Sequence, residues 1–75
     1  MISIFKTSVA SSQDLNKLTP YLNSLMDDVK WTIDLFDSDR ILRVISNVNK
    51  NDEIISVVNK LGYDCENLET FYSAP

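Results

Sequence analysis

VKWTIDL, residues 29–35, is the stretch in which apolar and polar side chains alternate most regularly. Successive side chains of a strand point to opposite faces, so a period of two predicts a strand with one buried and one open face. Trp31 shares its face with Val29 and Ile33, which predicts a core position for the indole rather than a ligand platform. Helices that cover only one face of a sheet produce this pattern.

A second strand follows closely. Residues 37–39, Asp-Ser-Asp, have the side chains that bond to their own backbone in turns. Residues 41–45, ILRVI, are rich in β-branched and aliphatic side chains. The short connection predicts an antiparallel hairpin.

The residues before the hairpin predict a strand and a helix. Residues 2–9 predict the strand because they are apolar and β-branched with partial alternation. Leucines at spacings of three and four predict an amphipathic helix over residues 12–26, with Ser11 and Asp14 forming a capping box at its start. Pro20 falls inside this pattern, so the segment is either one kinked helix or two helices with Thr19 capping the second. We favour one kinked helix.

The residues after the hairpin repeat this order. Asn49 or Asn51 can cap a helix whose buried face contains Ile54, Ile55, Val58 and Leu61. Gly62 fits a left-handed C-terminal cap. Residues 63–68 predict a last strand. We therefore expect one domain over residues 1–69 and a C-terminal tail over residues 70–75.

Two interleaved strand–helix–strand units predict one architecture. It is an α+β, ferredoxin-like βαββαβ sandwich, in which a four-stranded antiparallel sheet has both helices on one face.

Composition limits the choice of partner and compartment. Eleven acidic and seven basic residues give a net charge of −4, with no basic cluster for nucleic acid or for an anionic membrane. The apolar runs are too short for a transmembrane helix, and the N-terminus does not resemble a secretory signal. One cysteine, Cys65, cannot form an internal disulfide, which predicts a cytoplasmic protein. No cofactor motif is visible.

Two segments carry a family resemblance. Residues 29–35 and residues 61–64, Leu-Gly-Tyr-Asp, resemble the second strand and the last helix–strand step of heavy-metal-associated domains. These domains form the fold of copper chaperones and of the N-terminal modules of metal-pumping ATPases. The likeness covers residues 2–69 and is greatest to short bacterial proteins of the superfamily that lack the metal motif.

The resemblance places a Cys-x-x-Cys metal motif in the loop after the first strand, but here that loop contains no cysteine. Residues 6–14 read KTSVASSQD, and Ser11 and Asp14 stand near the two cysteine positions. Cu(I) prefers sulfur ligands, whereas a serine hydroxyl and a carboxylate are hard oxygen ligands. We therefore expect these two residues to cap the helix. The alternative is an altered metal-binding site that uses Cys65 or carboxylates such as Asp14.

Catalysis is not indicated. The chain has no histidine, which excludes Cys-His and Ser-His pairs. No phosphate-binding loop is present either. Asp34, Asp37 and Asp39 form a local acidic group without the spacing of a calcium loop, and turn formation explains them more simply. We expect a protein that is not an enzyme.

A partner surface is expected on the open sheet face. If Ile2 and Ile4 face the helices, Phe5 points outward together with Phe36. Thr7, Lys30, Thr32 and Arg43 would join these two phenylalanines in an exposed patch that contacts a protein partner or a second copy of the chain. The alternative is that Phe71 and Tyr72 of the tail cover the patch. The sequence thus favours a small binding module without the thiolate metal site.

Overall fold

The computed structural model describes residues 1–25 and 30–72. It contains six elements, which in chain order are β1 (Ile2–Thr7), α1 (Ser12–Leu25), β2 (Lys30–Ile33), β3 (Leu42–Ile45), α2 (Asn51–Lys60) and β4 (Cys65–Phe71). The strands form one antiparallel sheet in the order β2-β3-β1-β4. The predicted ferredoxin-like fold is confirmed. Within the described residues, no helix has both the length and the apolar character needed to cross a membrane.

One hydrophobic core lies between the sheet and the two helices. Each of its members is at most 2% exposed, and they are Phe5, Val9, Leu18, Leu22, Leu42, Val44, Ile54 and Val58. Both helices therefore pack against the same face of the sheet. Trp31 packs against this cluster at half-burial, and its indole N–H donates to Asn23 Oδ1 on α1 at 2.9 Å. The predicted helix-facing position of Trp31 is confirmed.

The side chains of β1 point to the opposite faces of the sheet from those predicted from the sequence. Phe5 pairs with Leu42 of β3, and directly opposite residues share a face of the sheet. Phe5 is consequently in the core at 0% exposure, while Ile2 and Ile4 lie on the open face. The prediction that Phe5 points outward is wrong. Because side chains alternate with a period of two, an error of one residue exchanged the two faces of the whole strand.

Helix α1 runs as one element from Ser12 to Leu25 with Pro20 inside it. The single-helix alternative is therefore confirmed. Leu18 and Leu22 are its fully buried side chains, and Leu25 packs against the edge of the core. Residue 26, the predicted end of this helix, lies outside the described residues.

The β2–β3 hairpin has shorter strands and a longer connection than predicted. Pairing runs from Lys30–Ile45 to Ile33–Leu42, and residues 34–41 connect the strands. The turn chemistry is as predicted, since Asp37 Oδ1 accepts the backbone N–H of Asp39 at 2.7 Å. Residue 29, the predicted start of β2, lies outside the described residues.

Helix α2 begins and ends in different ways. Its N-cap is Lys50 rather than Asn49 or Asn51, and Asn49 Oδ1 instead accepts the backbone N–H of Asn51 at 2.9 Å. Its C-terminal end confirms the prediction for Gly62, which has a φ of 97° and donates its N–H to the carbonyl of Asn59 at 3.0 Å. This positive φ favours glycine because a Cβ atom is strained there.

Strand β4 is longer than predicted and contains a bulge. It pairs with β1 as far as Phe71, so the predicted tail over residues 70–75 begins inside the sheet. Residues 73–75 lie outside the described residues. Ile4 pairs with Glu69 but Phe5 pairs with Asn67, which leaves Leu68 as an extra residue without a partner in β1.

Candidate functional site

The β1–α1 loop is the segment in which the sequence analysis considered a metal-binding site. Thr7, at the end of β1, is buried, and its hydroxyl donates to the carbonyl of Arg40 at 2.7 Å. Ser8 donates its backbone N–H to the carbonyl of Asp64 at 3.2 Å, while its Oγ accepts the N–H of Asp64 at 2.8 Å. Hydrogen bonds thus join the loop to the segments before β3 and β4.

Asp14 connects the same loop to the helix and to the residues before β4. Its Oδ1 accepts the hydroxyl of Tyr63 at 2.7 Å, and its Oδ2 accepts the N–H of Ala10 at 3.2 Å. Ser11 Oγ accepts the N–H of Asp14 at 3.2 Å, which confirms the predicted capping role of this pair. The Tyr63 bond is the main cause that lowers the pKa of Asp14, and the same bond raises the pKa of Tyr63.

Acid should selectively weaken this cap. Because the folded-state pKa of Asp14 lies below its usual 3.8, its contribution to stability is present above that pH and is lost as the pH falls through the folded value. We expect Asp14→Asn to be less stable than the wild type at pH 6. The gap in stability between the two proteins should narrow as the pH falls below 3.8. Urea unfolding at several pH values measures this gap.

Tyr63→Phe provides the matched control, since it removes only the hydroxyl that donates to Asp14. It should show a smaller gap with the same pH dependence. A gap that does not change as the pH falls through and below 3.8 would show that the carboxylate charge has no part in the cap.

Arg40 joins the hairpin turn to the β1–α1 loop. Its guanidinium donates to the carbonyl of Leu35 and, at 3.3 Å, to the carbonyl of Ala10. Its φ of 49° lies in the left-handed region, which is uncommon for a residue with a side chain. The sequence did not predict this role, because residues 30 positions apart in the chain form the contact.

Cys65, the other residue considered as a metal ligand, is half-buried in β4 opposite Thr7. Burial raises the pKa of its thiol to about 12. The flanking carboxylates of Asp64 and Glu66 are exposed, whereas Cys65 packs against the core. Within residues 1–25 and 30–72, no three Cys, Asp or Glu side chains come close enough together to hold a metal ion.

Cys65 should accordingly react slowly with thiol reagents. At pH 8 a thiol with a pKa of about 12 is almost entirely protonated. We expect its labelling rate in the folded protein to be roughly 10²–10³-fold below that of an unfolded control in urea. Labelling that is equally fast in both states would show that the thiol is accessible and ionised.

The open face of the sheet carries a second arrangement, which the sequence analysis missed. Ile45, Ile2 and Phe71 are register neighbours on β3, β1 and β4. They are 46%, 36% and 45% exposed, and we call them the apolar row. Lys30 on β2 pairs with Ile45 and extends the row to the other edge of the sheet.

A second line of paired residues runs beside the apolar row. It crosses the sheet through Thr32, Arg43, Ile4 and Glu69. Farther along, Lys6 of β1 pairs with Glu66 of β4. Charged side chains thus border the apolar row on one side.

The predicted patch around Phe5 and Phe36 is not formed. Phe5 is in the core and Thr7 is buried on the same side of β1, so the prediction that both point outward is wrong. Phe36 lies in the β2–β3 connection with its side chain fully exposed. The Phe36 N–H donates to Asp34 Oδ1 at 3.0 Å. Lys30 and Thr32 are exposed on β2, on the face opposite Trp31. Phe71 and Tyr72, predicted as a cover, are themselves exposed.

The missed row had a weak signal in the sequence. Residues 2–5, ISIF, have large apolar side chains at both even and odd positions. Alternation alone therefore does not show which face of the strand is buried. Residues 42–45, LRVI, do show which face of their strand is open, because Arg43 carries the single charge. Ile45 shares the parity of Arg43 and therefore lies on the same open face. Pairing β1 with β3 then fixes the position of Ile2.

Comparison with known proteins adds no relative. A scan against protein-family models finds no match, and searches of curated proteins and of solved structures find none either. Inference about function therefore starts from the geometry of the loop and of the open face.

Proposed function

We propose that this chain is a small non-enzymatic binding module, on a heavy-metal-associated-like scaffold without the thiolate site, that contacts protein through its open sheet face. One observation carries the proposal. The apolar row crosses three adjacent strands and is 36–46% exposed, on a face that neither helix covers.

Contiguity is what makes the apolar row informative. Single exposed apolar residues are common on protein surfaces and need no explanation. Three large side chains at directly opposed positions form a continuous patch, and such patches often mark binding surfaces. Lys30, Arg43 and Glu69 lie beside the row, which gives the apolar centre and charged rim of a protein interface.

The proposal that the module is non-enzymatic is supported by the side chains that line the surface depression beside α2. One depression, of about 310 Å³, lies at the N-terminal end of α2 and is lined mainly by amides and carboxylates. Asn51 in its wall already donates its side-chain N–H to Thr70 Oγ1 at 3.0 Å. These side chains do not pair a nucleophile with a base.

Metal carriage is the alternative function, and no observation favours it over protein binding. Both carboxylate oxygens of Asp14 accept hydrogen bonds, and burial keeps Cys65 protonated. We expect one equivalent of Cu(I), and separately of Zn²⁺, to leave the amide resonances of residues 7–14 and Cys65 unshifted in the reduced protein. Saturable shifts at these residues would instead support a carrier with unusual ligands.

Site-specific photo-crosslinking in cells tests the protein-binding proposal. A photoreactive residue at Thr32 lies on the open face, and one at Asn59 lies at an exposed position of α2 and serves as the matched control. We expect discrete adducts from position 32 alone. Ile45→Glu, which places a charge in the apolar row, should abolish them.

Two results would contradict this function. Adducts that form equally from positions 32 and 59 would indicate non-specific contact. No adduct from position 32 would show that the open face meets no protein in the cell. Any partner identified must bind the purified wild-type domain more tightly than it binds the Ile45→Glu variant.

A further inference from the structure

Charge is distributed unevenly across the open sheet face. The basic side chains Lys30 and Arg43 lie on β2 and β3, whereas the acidic Glu66 and Glu69 lie on β4 at the opposite edge. The apolar row runs from one side to the other. Asp34, directly after β2, and Lys6 on β1 also lie on this face, so its β2–β3 half is net basic and its β1–β4 half is net acidic, with the apolar row crossing between them.

We propose that the occupant of this face is a second copy of the same chain, packed face to face about a two-fold axis that runs parallel to the strands between β3 and β1. This inference rests on the proposed function and names its partner. In such an isologous contact each copy presents the same patch to the other. The net basic half of one copy then lies over the net acidic half of the other, twice. Glu69 of one copy lies over Thr32 of the other, with Lys30 and Arg43 of that copy at neighbouring positions.

The register supports this arrangement in detail. A two-fold axis between β3 and β1 exchanges β2 with β4 and β3 with β1. Ile45 of one copy then lies over Ile2 of the other, which buries the centre of both apolar rows. Lys30 lies over Phe71, where its ammonium can approach the aromatic ring.

The other two-fold axis in the plane of the interface is disfavoured. An axis perpendicular to the strands would place β2 on β2 and β4 on β4. Centred on the apolar row, this axis would oppose Lys30 to Lys30. Centred on the neighbouring line, it would oppose Arg43 to Arg43 and Glu69 to Glu69, so like charges would face each other in either case. The charge pattern therefore favours the axis parallel to the strands.

The size of the open face determines how tightly the two copies are expected to bind. Four strands spaced about 4.8 Å apart make a face roughly 20 Å wide. A face of this width is small for a specific interface, since standard interfaces bury about 800 Å² on each partner. We expect a weak dimer, with a dissociation constant in the range of about 10 µM to 1 mM.

Sedimentation equilibrium of the full chain over about 10 µM to 1 mM measures this association. Lys30→Glu with Arg43→Glu should weaken the dimer about tenfold, because each substitution is repeated by symmetry and turns attraction into repulsion. Lys60→Glu, an exposed charge change on α2, is the matched control and should leave the constant unchanged.

Cysteine crosslinking tests the direction of the axis. In a Cys65→Ser background, Lys30→Cys and Phe71→Cys proteins should crosslink when mixed and should not crosslink when each is alone. Crosslinks within either protein alone, at 30–30 or 71–71, would overturn the proposed axis. Because the pattern depends only on which positions meet, it separates a changed interface from a variant that fails to fold.

The dimer and the binding module can fail separately. A wild-type chain that stays monomeric up to about 1 mM overturns the dimer. If the Thr32 photo-crosslinker nevertheless forms an adduct with a different protein, the open face remains a binding surface. If neither self-association nor any adduct is seen, both proposals fail.

Discussion

A Phe5→Ala variant should lose about 3–5 kcal/mol of unfolding free energy, because it deletes a fully buried aromatic ring and leaves a cavity. Phe5 pairs with Leu42 across β1 and β3 and lies in the core that both helices cover. Native domains are stable by about 5–15 kcal/mol, so this loss would unfold much of a small protein. Urea unfolding followed by Trp31 fluorescence measures it.

Ile4→Ala is the matched control for Phe5→Ala. Ile4 is the neighbouring residue of the same strand, but it lies half-buried on the open face. Its loss should be well under half that of Phe5→Ala, because less apolar surface returns to water. If Ile4→Ala were the more destabilising change, the facing of β1 would be reversed.

Leu22→Ala is expected to lower the unfolding free energy by about 2–5 kcal/mol. Leu22 is fully buried on the face of α1 that packs against the sheet. Tyr21→Ala provides the comparison, since Tyr21 is the adjacent residue of the same helix and is exposed. Chemical unfolding of both variants should show a change at least twice as large for Leu22.

A loss below about 1 kcal/mol for Leu22→Ala would mean that the buried face of α1 is misassigned. The Leu22→Ala variant also distinguishes an effect on the core from an effect on the open sheet face. Because Leu22 lies away from the open sheet face, a folded Leu22→Ala protein should still self-associate with the wild-type constant.

The order of the elements could be predicted because each carries its own periodicity. Leu18 and Leu22 repeat at helical spacing, and residues 30–33 alternate as a strand does. Gly62 marks the end of α2, since only glycine adopts its backbone conformation without strain. These signals are local, and they are sufficient to select the ferredoxin-like topology.

The buried face of each strand and the residues at which the strands end were harder to predict. In β1 the apolar residues occupy both parities, and only the pairing of Phe5 with Leu42 decides which side is buried. The extension of β4 to Phe71 depends likewise on pairing with Ile2, some 70 residues away in the chain. Such information is carried by tertiary contacts and not by local patterns.

The candidate surface was predicted in part for the same reason. Lys30 and Thr32 were assigned to the open face from the alternation of residues 29–35. The apolar row required the relative register of three strands, which the sequence does not state. The hydrogen bond from Tyr63 to Asp14 was missed because the two residues are 49 positions apart.

The bulge at Leu68 affects how readily another chain can add to the β4 edge of the sheet. Strand β4 is seven residues long and lies at the edge of the sheet, where a regular strand would offer its backbone as a template for further chains. An extra residue bends the strand and increases its twist, which makes such continuation harder. Growth by strand addition would give open-ended filaments, whereas contact through the faces closes on itself. The irregularity in β4 therefore disfavours the growth of a fibre from this edge of the sheet.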